Sequence, residues 1–106
     1  MSMDFGKLAE QASLLQKELQ QLQEEASREL VTASAGGGMV KVTATAGGEI
    51  TKLEIDPKAI DPADPELLAD LVTAAVNEAL RSGRALIESK VSSLLPGGLG
   101  GLLPGM

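Results

Sequence analysis

Seven residues near the start of the chain, Phe5, Leu8, Ala12, Leu15, Leu19, Leu22 and Ala26, recur at alternating spacings of three and four. This is an a/d heptad seam sustained over three repeats. Gln, Glu and Lys occupy most positions between, and all favour helix. The spacing predicts a helix over residues 4–28, about 37 Å long at 1.5 Å per residue. In a chain of 106 residues so long an amphipathic helix needs a sheet or another helix against its stripe.

Residues 29–56 change period. Leu30 to Ser34 is strand-prone, and Ala35-Gly36-Gly37-Gly38 breaks the chain. Val40, Val42 and Ala44 then alternate with Lys41, Thr43 and Thr45, as in a half-buried strand. Ala46-Gly47-Gly48-Glu49 reads as a turn, and Ile50 to Ile55 as the returning strand, with Leu53 and Ile55 on one face and Lys52 and Glu54 on the other. Asp56-Pro57 ends it. Asp64 is placed to cap a second helix, with Pro65 at its first position and Glu66 suiting its dipole. That helix runs from Leu67 to about Ser93. Leu68, Val72, Ala75, Ala79, Gly83, Leu86 and Lys90 lie along one side of it. The Ala and Gly positions admit a close backbone, and Gly83 is a point where the helix can bend or receive a partner.

The expected fold is therefore α+β: a long N-terminal helix, a three-stranded antiparallel sheet and a long C-terminal helix. Residues 1–93 form the expected domain. Residues 94–106, rich in Leu, Gly and Pro and without charge, read as a flexible tail or one ordered by a partner. A small sheet has open edges and a heptad helix has an open seam. A symmetric homodimer that joins sheets and pairs helices resolves both, with Leu15, Leu19, Leu22, Val40 and Val42 as the candidate dimerisation residues.

Composition excludes much chemistry. The chain has no Cys, His, Trp or Tyr, and Phe5 is its one aromatic residue. Imidazole bases, thiolate nucleophiles and Cys/His zinc sites are thereby excluded. Asp56, Asp61, Asp64, Glu66 and Asp70 do not follow a calcium-loop spacing, and caps and turns account for them. Gly36-Gly37-Gly38 is followed by a strand rather than a helix N-terminus, so it reads as a turn and not as a phosphate cradle. No enzyme, cofactor, metal or small-molecule substrate is expected. No apolar run is long enough to cross a membrane, and the N-terminus lacks the pattern of a secretory signal, so the expected address is the cytoplasm.

Nine basic residues against fifteen acidic give a net charge of −6, so attraction to a polyanion must be local. Residues 81–106 carry Arg81, Arg84 and Lys90 against Glu88 alone. Solvated surface charge explains any one cation. The functional alternative is a phosphate track along the helices, from Lys7, Lys17, Arg81, Arg84 and Lys90.

Three stretches resemble the central signatures of the YbaB/EbfC family of bacterial nucleoid-associated proteins. They are Ala35-Gly36-Gly37-Gly38-Met39-Val40-Lys41-Val42-Thr43, Ile50-Thr51-Lys52-Leu53-Glu54-Ile55-Asp56-Pro57, and Asp70-Leu71-Val72-Thr73-Ala74-Ala75-Val76-Asn77-Glu78-Ala79. The likeness covers about residues 4–92 in order. It implies a tweezers-like homodimer with joined sheets and projecting helices. It also implies DNA binding with little sequence preference, and a nucleoid role that touches gene expression or repair. Lys41 matches the signature Lys and joins the candidate DNA contacts. The absence of Tyr and Trp disfavours single-strand binding by base stacking, which leaves double-stranded DNA as the expected partner. A contrasting expectation, favoured by the acidic balance, is a protein-interaction scaffold that recruits replication or repair partners and meets DNA only indirectly. A helical chaperone with apolar grooves is a remoter one.

Overall fold

The computed structural model describes residues 4–94. Helix α1 spans Phe5–Ser27. Strands β1 (Leu30–Ala35), β2 (Val40–Thr45) and β3 (Ile50–Ile55) follow, then a short 3-10 turn at Pro57–Ala59 and helix α2, Pro65–Leu94. The sheet is antiparallel in the order β1-β2-β3. The α+β expectation holds element for element. The second helix starts at Pro65, the first helical position expected behind the Asp64 cap, and takes in Leu94, which the sequence places in the tail. Residues 95–106, the rest of the expected tail, lie outside the described residues.

The helix starts follow from their caps. Asp4 accepts the Lys7 backbone N–H at 3.1 Å, and Asp64 accepts that of Leu67 at 3.2 Å. The three-glycine loop between β1 and β2 has positive φ at each position, 63°, 67° and 92°, a backbone that Gly adopts without steric cost. After β2 the chain turns through Gly48 (φ 106°), with Gly48 N–H donating to the Thr45 carbonyl at 3.0 Å.

Register decides which side chains share a face. Val31, Ala33 and Ala35 of β1 oppose Ala44, Val42 and Val40 of β2. On the other side Val40 opposes Ile55 and Val42 opposes Leu53, but Ala44 opposes Ile50. Thr51 is thus an extra residue on β3, a bulge, and its hydroxyl donates to the Thr43 carbonyl at 3.2 Å. The bulge brings Ile50 onto the inner face with Leu53 and Ile55.

Helix α2 packs on that inner face over β1 and β2. The core is Val40, Val42 and Ala44 against Ala75 and Ala79, with Leu68, Leu71, Val72 and Val76 around it. Val40 and Val42 are the largest fully buried side chains, each 0% exposed. A core so poor in bulk depends on close approach of helix and sheet, which the Ala75, Ala79 and Gly83 stripe permits. The sheet's apolar face is only partly covered. Leu53 on β3 is 44% exposed, Ile50 is exposed and Ile55 half-buried.

Helix α1 packs on α2. Along its seam Ala26 is buried, and Leu22 and Leu19 are half-buried. Leu15 is 53% exposed, Leu8 49% and Phe5 72%. The N-terminal half of α1 is therefore an arm. The described chain measures 78 × 27 × 16 Å with a radius of gyration of 20.5 Å, against about 13 Å for a compact domain of about 100 residues.

Candidate nucleic-acid interface

The expected DNA contacts fall on three elements. Lys7 and Lys17 lie on the arm of α1, among Glu10, Glu18, Glu24 and Glu25 of the same helix. Lys41 lies on the outer sheet face, where Ser34 and Glu54 oppose it across the strands. Arg81, Arg84 and Lys90 lie on the second half of α2. Within one chain they are spread over a helix, a strand and a second helix.

Their partners divide them further. Arg81 donates from Nη2 and Nε to Glu78 Oε2 at 2.7 and 3.2 Å. Lys90 Nζ donates to Glu29 Oε1 at 2.8 Å in a half-exposed pair that ties the end of α2 to the α1–β1 junction. Both cations have a carboxylate already. Lys7, Lys17, Lys41 and Arg84 take part in no ion pair among the described residues. The outer sheet face also carries Thr32, Thr43 and Lys52 in one cross-strand row, with Lys52 held to Glu54 at 3.4 Å.

The candidate dimerisation residues also separate. Leu15 is exposed on the arm, and Leu19 and Leu22 are half-buried. Val40 and Val42 are consumed in the protomer's own core, because α2 covers the face they share. Gly83, read as a point that can bend or receive a partner, receives the chain's own hairpin: a Cβ there would sit 2.8 Å from the Ala46 carbonyl oxygen.

The acidic residues perform local work. Asp56 accepts the Lys58 N–H at 2.9 Å, Asp61 accepts that of Ala63 at 2.9 Å, and Asp64 caps α2. Among the described residues no group of three or more carboxylates could hold a metal ion, and no helix is long and apolar enough to cross a membrane. One cation that the sequence pattern alone did not single out is Arg28, at the C-terminal end of α1, which lines a shallow cleft with Ser27, Thr45, Gly47, Gly48 and Glu49. A basic residue at the C-terminal end of a predicted helix, where it complements the dipole, is the signal that marks it.

The YbaB/EbfC DNA-binding family model matches residues 1–99, which takes in both helices and the sheet. A nucleoid-associated protein of Streptomyces avermitilis is 48% identical over 103 residues, 97% of this chain and 91% of that protein. One of Acetivibrio thermocellus is 43% identical over 103 residues, 97% of this chain and 89% of its own length. In three dimensions the chain resembles an uncharacterized protein of Helicobacter pylori solved by crystallography, with a TM-score of 0.72 and 27% identity over 90% of this chain and all of that one. The chain belongs to the YbaB/EbfC DNA-binding family.

Proposed function

We propose that the protein binds double-stranded DNA as a homodimer in the nucleoid, through phosphate contacts and with little sequence preference, and so organises the chromosome and influences expression or repair. Family membership over nearly the whole chain carries this reading. Four cations that form no ion pair among the described residues, Lys7, Lys17, Lys41 and Arg84, supply phosphate contacts, and a second copy presents the set twice. Long helical arms suit a duplex, whereas the lack of Tyr and Trp removes the stacking platforms that single strands require. The uncovered inner face of β3 gives a second copy an apolar surface beside an open strand edge.

A titration of the purified protein with supercoiled, linear and single-stranded DNA across a salt series tests the proposal. Phosphate-driven binding gives a log–log slope of about −0.9 for each phosphate neutralised, with duplex bound in preference to single strands. An affinity indifferent to salt would reject the phosphate mode.

The net charge of −6 and the apolar arm favour one other reading, a scaffold that recruits a replication or repair protein. Protein that shifts no DNA at low salt, yet binds such a partner directly, would select it.

A further inference from the structure

We propose that the N-terminal arms of α1 are a second self-association surface, through which homodimers clasp one another tip to tip and hold two duplexes together. The inference rests on the DNA-binding homodimer reading above and adds to it a contact between dimers.

Among the described residues, two uncovered apolar surfaces combine several neighbouring side chains of one element, and they lie on different elements. One is the inner face of β3, with Ile50, Leu53 and Ile55. The other is the arm, where Phe5, Leu8 and Leu15 are 72%, 49% and 53% exposed. The arm is the outward continuation of an existing interface: the same seam passes from exposed Leu15 to half-buried Leu19 and Leu22 and buried Ala26 where α1 packs on α2. A surface with the a/d pattern of a coiled coil is matched by a helix of the same pattern, and a second copy supplies one. The residues flanking the exposed part of the seam, at e and g, are Ala9, Gln11 and Gln16 along its centre, with the acidic Asp4 and Glu18 at its two ends. The central three carry no charge, so repulsion between two copies is confined to the ends of the overlap.

Direction follows from what is already occupied. A parallel pairing in full register would carry the second copy's helix along residues 19–26, where α2 packs. An antiparallel pairing confined to the arms avoids this and sends the two bodies to opposite sides. It sets Phe5 against Leu15 of the other copy and Leu8 against Ala12. The overlap is short, about 15 Å of helix at 1.5 Å per residue. Such a contact falls below the roughly 1,600 Å² of a standard stable interface. It is weak in dilute solution and strengthens where DNA concentrates the dimers. At the rim Glu18 approaches the Asp4 of the other copy, so added salt leaves the clasp unchanged or tightens it, the opposite of its effect on phosphate contacts.

Sedimentation of the full chain without DNA, from low micromolar to near millimolar, tests the clasp. It is run beside a variant carrying Phe5→Gln and Leu8→Gln, which adds no charge beside Lys7, with circular dichroism as the control for folding. Both sites are exposed and Gln is a good helix former. The wild type is expected to rise from two chains towards four, more readily at high salt, while the variant stays at two. The variant should still bind one labelled duplex but fail to capture a second, bead-tethered duplex. A wild type that never exceeds two chains, a variant that rises equally, or a variant that falls to single chains would each overturn the clasp. A wild type that starts from one chain overturns the homodimer reading instead, and the clasp is then decided by whether the variant abolishes the rise.

Discussion

Gly83 on α2 rests directly on the backbone of Ala46, so closely that a Cβ on Gly83 would lie 2.8 Å from the Ala46 carbonyl oxygen and 2.9 Å from its Cα. This close approach sets how near α2 comes to the β2–β3 hairpin. Neither atom belongs to a flexible side chain, so relief requires the helix or the hairpin to shift. Gly83→Ala gains about 1 kcal/mol in helix propensity but incurs an overpacking cost of about 1–3 kcal/mol, with loosening of the Ala75 and Ala79 packing in addition. The net expectation is destabilisation. At about 4–8 °C per kcal/mol for a domain of this size, melting at fixed protein concentration resolves it. An unchanged or raised Tm would mean that the helix does not seat on the hairpin as described.

The three-glycine loop offers an internal comparison. Gly36 and Gly37 have nearly equal φ, 63° and 67°, so replacement by Ala costs each about 1–2 kcal/mol for a left-handed backbone. They differ in surroundings. A Cβ on Gly36 would meet the Leu71 side chain at 3.0 Å, whereas one on Gly37 would meet nothing within 4 Å. Chemical denaturation should rank the variants wild type, then Gly37→Ala, then Gly36→Ala. Equal losses would show that Leu71 yields freely, and with it this edge of the core.

These glycines mark a boundary between what local pattern reveals and what it does not. The helices and strands were legible because Leu and Val periodicity and the Asp4 and Asp64 caps act within a few residues. Alternation also revealed that Val40 and Val42 are buried, but not by what. Ala75 and Ala79 of α2 supply the cover from within the chain. The face of Ile50 was illegible because the bulge at Thr51 shifts parity. The commitment of Lys90 was illegible because Glu29 stands 61 positions away. The Glu78–Arg81 pair, at a spacing of three on one helix, was readable in principle.

The inner face of β3 separates protomer stability from assembly. Leu53 opposes core residue Val42 across the strands yet remains 44% exposed, beyond the cover of α2. Leu53→Lys should therefore cost the protomer little, within about 1 kcal/mol, since the charged end can reach water. If this face receives a second copy, the same substitution should raise the dimer dissociation constant by at least tenfold, read by sedimentation at micromolar concentration. Retention of the wild-type dimer with full affinity would remove β3 from the interface.

The ion pairs make the final prediction, because they assign unequal roles to cations that look equivalent in the sequence. Arg81 is held by Glu78 at 2.7 Å, while Arg84, three residues on, takes part in no ion pair among the described residues. Exposed pairs of this kind contribute only about 0–1 kcal/mol to stability, so breaking one leaves the fold intact. Arg84→Ala should weaken binding to all duplex sequences alike and make the salt slope shallower by about 0.9 for each phosphate that Arg84 neutralises. Arg81→Ala should do less, because it also removes a cation that Glu78 has largely neutralised. Glu78→Gln releases Arg81 and removes a nearby repulsive charge, so it should tighten binding. Neutralising one further phosphate on that slope amounts to about eightfold in affinity at about 0.1 M salt. Fluorescence anisotropy on one labelled duplex at three salt concentrations ranks the three variants. Affinity lowered by Glu78→Gln, or unchanged by both Arg81→Ala and Arg84→Ala, would place the phosphate track away from this face of α2, while equal losses at the two arginines would show that Glu78 does not hold Arg81 back from DNA.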